Sequence, residues 1–210
     1  MPGKPIHSVR DFLVHIFTIT VGILIALGLE QSVEAFHHRE LANEARANII
    51  SELTDNKHNL DIVRRGIPKL MKEPEGVLKL VNEALAHNLR KTPPMGLHFD
   101  LATTTSTSWT TAQAVGALSY MDYREVKTYS EAYQLQKRFE DVQNAAFEAT
   151  GAAVSTVAEN HLGLEKWPNQ DLQNAKQQLE RCATAYRFYD QFAKELSDEY
   201  AEILSKHLPK

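Results

Sequence analysis

The apolar positions of this chain fall into two regimes. From Phe12 to Leu29 (FLVHIFTITVGILIALGL) they surround every face of a helix, with no Asp, Glu, Lys or Arg in 18 positions. Beyond Leu29 they recur every three or four residues, with charged residues between them. The first regime predicts a transmembrane helix over 12–29, because 18 residues rise about 27 Å, close to the hydrocarbon thickness of a bilayer. Twelve of the 18 are Leu, Ile, Val or Phe, which favours insertion by roughly 4–7 kcal/mol in total. His15, Thr18 and Thr20 offset only part of that.

The second regime predicts helices and no strand. Ala42, Ala45, Ile49, Leu53, Leu60 and Val63 step at helical spacing from Glu30 to about Arg65, so the membrane helix should continue without a break until Arg64-Arg65-Gly66 and Pro68. A shorter helix should open at Glu73-Pro74-Glu75 and close at Arg90-Lys91 before Pro93-Pro94. A loop through Met95-Gly96 then leads to Thr103-Thr104-Thr105-Ser106-Thr107-Ser108, a run expected to cap a helix carrying Trp109, Ala112, Val115 and Leu118. Asp122 and Glu125 form a capping-box pattern. The long helix behind it should bury Leu135, Phe139, Val142, Ala146, Ala149, Ala153 and Val157, bend at Gly151 and end at Gly163. The last helix, from about Pro168 to Leu208, carries a heptad rhythm on Leu172, Ala175, Leu179, Cys182, Tyr186, Tyr189, Ala193, Leu196, Tyr200 and Ile203. Two such helices joined by a short turn must pack antiparallel. The expected fold is therefore all-α: a single N-terminal transmembrane helix continuing into an elongated antiparallel helical bundle. Its parts are a cytoplasmic tail at 1–11, the span at 12–29 and an extracytoplasmic helical domain at 30–210.

Composition changes this picture in two ways. The mean hydropathy of −0.37 describes an ordinary soluble protein, yet the hydrophilic residues belong to the domain and the span is nearly pure hydrocarbon. The net charge of −4 lies wholly beyond residue 30, where 21 basic residues meet 25 acidic ones, so no nucleic-acid partner is expected. Lys4 and Arg10 precede the span, whereas Glu30 and Glu34 follow it before Arg39. The positive-inside rule then puts the N-terminus in the cytoplasm and the domain outside, in the periplasm of a bacterial inner membrane. Val33-Glu34-Ala35 resembles a signal-peptide cleavage site, but the apolar run exceeds the usual core of about 7–15 residues, which favours an uncleaved anchor.

Chemistry-bearing candidates are few. Glu34 and His37 match the Glu-x-x-His element of carboxylate-bridged metal bundles, but no second copy exists, and Glu34, His37, His38 and Glu40 read better as a solvated collar at the membrane surface. His15, inside the span, is the one candidate ligand for haem or a pigment, with snorkelling toward the headgroups as the simpler role. Thr18, Gly22 and Ala26 recur every four residues and would let another helix approach closely. The Ser/Thr run lacks a nucleophile elbow. Cys182 reads as a core thiol, and one cysteine excludes an intrachain disulfide. The tyrosines of the two long helices read as core, with an aromatic binding surface as the alternative. No phosphate loop, dinucleotide fingerprint or haem-attachment motif occurs, so no cofactor is expected.

Two blocks resemble a group of uncharacterised bacterial proteins with one N-terminal membrane helix. They are Val21-Gly-Ile-Leu-Ile-Ala-Leu-Gly-Leu29 followed by Ile50-Ser-Glu-Leu-Thr-Asp-Asn56, and Trp109-Thr-Thr-Ala-Gln-Ala-Val-Gly-Ala-Leu-Ser-Tyr-Met121 with the Tyr-rich helix after it. The Asn-Trp pair that many members carry after the membrane helix is replaced here by Glu30-Gln31-Ser32. The resemblance implies an anchored topology and no activity. The expected role is a non-enzymatic accessory or structural subunit, docking on itself as a homo-oligomer or on a larger membrane protein complex (respiratory, photosynthetic or transport). The alternatives are a periplasmic sensory bundle acting through a signalling partner and a metal enzyme using Glu34 and His37.

Overall fold

The computed structural model describes residues 9–158 and 163–207, all of them helix, turn or irregular chain with no strand among them. Six α-helices follow one another: α1 (Val9–Arg64), α2 (Ile67–Leu70), α3 (Lys72–Leu85), α4 (Thr107–Ala114), α5 (Tyr123–Ala158) and α6 (Asn169–Ser205). The expected all-α bundle is what forms. At 1.5 Å per residue α1 is about 84 Å long and α5 and α6 about 55 Å each. The first part of the tail (1–8), residues 159–162 just before the expected helix end at Gly163, and Leu208 lie outside the described residues.

Side-chain pairs give the directions. Arg46–Glu125, Glu52–Tyr133 and Asn56–Gln136 advance together, so α1 and α5 run parallel. Gln136–Tyr200, Gln143–Tyr189 and Thr150–Tyr186 advance oppositely, so α6 runs back against α5 and therefore against α1. The α5–α6 hairpin is the most extensive helix contact. All ten heptad positions expected on α6 are buried, each large apolar one contributing about 1.5–3 kcal/mol.

Several local expectations fail for identifiable reasons. The helix opening near Glu73 stops at Leu85, short of Arg90-Lys91. His87 adopts a left-handed φ of 57°, and the His87 and Asn88 amides bond back to Ala84 and Glu83 in a Schellman closure. The Trp109 helix breaks in two: α4 ends at Ala114, Gly116 takes φ 75°, and Ala117–Tyr120 form a separate 3-10 turn. The buried set of α5 is also different. Phe139, Ala146 and Ala153 are buried as expected, but Leu135, Val142, Ala149 and Val157 are only half-buried, while Gln136, Gln143 and Thr150 lie in the core.

The reason is the segment between α3 and α4. Residues 95–105 form an extended strap rather than a loose loop. Met95, Leu97 and Phe99 face the bundle while Gly96, His98 and Asp100 face out, and Ala102 is buried. Phe99 lies against Tyr186, Tyr189 and Phe147, with ring centroids 5.7, 5.2 and 5.9 Å away. An extended chain with no neighbouring strand has backbone groups to satisfy, and the polar core residues of α5 satisfy them.

Candidate functional site

Three features stand out: an uncovered apolar helix, the collar at its exit, and the polar seam under the strap.

Among the described residues, nothing buries any position of α1 from Phe12 to Leu29. Phe12, Leu13, Val14, Ile16, Phe17 and Ile19 are all exposed, as are the large apolar residues from Ile23 to Leu29. This stretch is long and apolar enough to cross a membrane, by length and composition. Its hydroxyls are turned inward on the helix itself: Thr18 Oγ1 donates to the Val14 carbonyl (2.9 Å), Thr20 Oγ1 to Ile16 (2.9 Å) and Ser32 Oγ to Gly28 (2.8 Å). Such back-bonding is how hydroxyls are tolerated where water is absent. Of the predicted residues, His15, Thr18, Gly22 and Ala26 are all exposed. A Cβ on Gly22 would meet nothing within 4 Å.

At the collar, the Glu34 carboxylate lies 3.8 Å from His38 Nε2. His37 is exposed, its ring centroid 6.5 Å from that of His38. His38 stacks on Tyr120 at 3.9 Å and 11°, which ties the helix exit to the corner between α4 and α5. Among the described residues no group of three or more His, Cys, Asp or Glu side chains converges to hold a metal. About two turns further, Arg46 grips Glu125 through Nε (2.5 Å) and Nη2 (2.8 Å), and Tyr129 donates to the same carboxylate at 2.9 Å. The Arg46 hydrogen bonds hold the Glu125 carboxyl below the usual carboxylate range. The expected capping box is therefore half made: Asp122 Oδ1 accepts from the Arg124 amide at 2.9 Å, but Glu125 serves Arg46 instead of the box.

The polar seam was not anticipated. Asn56 pairs with both backbone groups of Thr105 (2.9 and 2.7 Å), and Gln143 with both of Ala102 (2.8 and 3.1 Å). Gln136 Nε2 also donates to the Thr105 carbonyl, and Tyr200 donates to Gln136 Oε1 at 2.6 Å. The Tyr186 and Tyr189 hydroxyls reach the carbonyls of His98 and Asp100. Tyr129, Gln136, Gln143 and Thr150 stand seven residues apart on one line of α5. Burial pushes the Tyr186 phenol up to about 12 and raises the Cys182 thiol, which lies 3.7 Å from Thr150 Oγ1.

The Ser/Thr run is likewise structural, though not as expected. The Ser106 side chain makes no cap. Glu52 of α1, only 8% exposed, supplies the cap from another helix. Its carboxylate accepts the Ser108 amide (2.9 Å), the Thr105 hydroxyl (3.2 Å) and the Tyr133 hydroxyl (2.6 Å). An anion here is favoured by the positive end of α4. Tyr133, stacked on Trp109 at 5.4 Å, has its phenol raised by burial and by Glu52. Within the run, the Thr104 hydroxyl donates to Glu140 (2.8 Å) and the Thr105 hydroxyl to Glu52, so both serve packing between helices.

Sequence signals for the seam existed: strict alternation over Met95, Leu97, Phe99 and Leu101, and the seven-residue spacing of Gln136, Gln143 and Thr150. No protein-family model, curated protein or solved structure matches this chain.

Proposed function

We propose that this protein is a single-pass, membrane-anchored, non-enzymatic accessory or structural subunit. Its N-terminus would be cytoplasmic and its helical domain periplasmic, docking through the transmembrane helix on a second copy or on a larger membrane protein complex. The observation that carries the reading is the exposure of apolar side chains on every side of α1 from Phe12 to Leu29. A helix apolar all round must be covered, and lipid covers it at any rotation. Lys4 and Arg10 on one side, against Glu30 and Glu34 on the other, support the orientation. The domain supports a structural role because its buried polar side chains are spent on partners within the domain, with Asn56, Gln136 and Gln143 serving the strap.

A sensory bundle is the second reading, favoured by the same polar seam between the long helices. It requires that a ligand take hydrogen bonds now given to residues 98–105. Gentle detergent purification of the full chain separates the two. Co-purifying membrane proteins or a homo-oligomer are expected. A lone monomer, released from membranes by alkaline carbonate, would sink the anchored-subunit reading.

A further inference from the structure

α1 carries one apolar face that outlasts the span. Leu29, Val33 and Phe36, four and three residues apart, are 65%, 70% and 69% exposed. Val33 and Phe36 lie about 6 and 10 Å past Leu29 along the helix. A headgroup layer is only about 5–7 Å deep, so Phe36 stands beyond the reach of acyl chains, among Glu34, Arg39 and Glu40. Inside the span lipid covers any face, and Gly22 and Ala26 alone would indicate nothing. Outside it, Val33 stands at headgroup depth and Phe36, past the headgroups and among charges, has no lipid to cover it.

The stripe faces away from the domain. Ala45, buried against the rest of the bundle, is nine positions from Phe36, two and a half helical turns. Traced back, the same face holds Ile19, Gly22 and Ala26, so steps of three and four run unbroken from Ile19 to Phe36. That is the a/d pattern of a two-stranded seam. Its flanks are complementary to themselves. Arg39 and Glu44 are five apart, the spacing at which a residue beside one seam meets the partner strand in a parallel pair. Both are exposed, and neither has an ion-pair partner among the described residues. Glu40 ends the apolar run.

We propose that two copies of this chain pair in parallel along Ile19–Phe36, with Arg39 of each reaching Glu44 of the other. The two domains stand on the outer sides. The parallel arrangement rests on the anchored reading above, since two copies inserted the same way in one membrane meet height for height.

Cysteine cross-linking tests this in membranes holding the full chain, because the single native Cys182 is buried. Val33→Cys and Phe36→Cys should give disulfide-linked homodimers on mild oxidation, whereas Gln31→Cys and Ala35→Cys, off the seam, should not. Equal dimer at all four positions, or none at 33 and 36, or adducts only with a different protein, overturns the pairing. An alkaline carbonate wash reads the anchor separately. Retention in the pellet without the 33/36 dimer defeats the pairing alone, and release into the wash defeats both. Phe36→Glu removes no contact within the domain, so it should keep its helicity while the detergent-solubilised dimer becomes monomer. A dimer that persists overturns the proposal.

Discussion

The Gln143 side chain pairs with Ala102 as a neighbouring strand would: its Oε1 accepts the Ala102 amide at 2.8 Å and its Nε2 donates to the Ala102 carbonyl at 3.1 Å. Tyr189 adds its hydroxyl 3.0 Å from the same Oε1. A helix side chain thereby lets an extended segment lie in an all-helical core without a ladder. Gln143→Leu keeps the volume but strands an amide and a carbonyl in the core. Each unsatisfied group costs about 1–3 kcal/mol, so a loss of about 2–6 kcal/mol is expected from urea unfolding of the full chain in mild detergent. Gln143→Glu, measured at acid pH where its carboxyl is protonated and can still both accept and donate, should lose less. Equal losses for the two variants would mean that the pairing does not hold the strap.

Why α6 was legible and α5 was not follows from the same contact. α6 buries its apolar stripe against helices, and a heptad rhythm reports that directly. On α5 the face toward α6 and the strap must meet bare backbone, so the seam needs Gln136, Gln143 and Thr150. A rule that seeks apolar residues shifts the stripe by one position, onto Leu135, Val142 and Ala149. In sequence the strap reads as a loop because two prolines precede it and Gly96 sits near its start, although Met95, Leu97 and Phe99 alternate like a strand. The uncovered helix was legible because it needs no partner in the fold. The Glu52 cap was not, since the acid and its amide are 56 residues apart.

Glu52 holds the start of α4, and its removal should be felt there first. Glu52→Ala leaves the Ser108 amide and the Tyr133 and Thr105 hydroxyls without their acceptor. A loss of about 2–3 kcal/mol is expected, by analogy with lost caps and unsatisfied buried donors. Because Trp109 stacks on Tyr133, its fluorescence should change in the folded state, while that of Trp167 should not. Single-tryptophan variants separate the two signals. Unchanged Trp109 emission in Glu52→Ala would show that α4 is held without this acid.

Gly116 tests the break between α4 and the following turn. Its φ of 75° is left-handed, and a Cβ there would meet nothing within 4 Å. Gly116→Ala therefore costs only the backbone preference, about 1–2 kcal/mol. Gly116→Asn should recover part of that, because Asn tolerates this region better. If Gly116→Ala is as stable as the parent, the left-handed closure is not what separates the two short helices.

The Arg46–Glu125 pair makes stability depend on acid pH in a direction that can be worked out. Its hydrogen bonds lower the Glu125 carboxyl below its ordinary value of 4.5. A group whose folded value is depressed stabilises above its unfolded value and loses that contribution as pH falls through the folded one. Above pH about 4.5 the parent should therefore be more stable than Glu125→Gln, and the difference should shrink steadily below it. Arg46→Met should show the same flattening, because it removes the cause of the shift. Raised salt should reduce the effect only in part, since both side chains are partly buried and the contact is bidentate. The measurement is urea unfolding of parent and variant from neutral pH down into the acid range. A gap between them that stays constant across that range would show that Glu125 titrates alike in the folded and unfolded chain, and that Arg46 holds it by geometry alone.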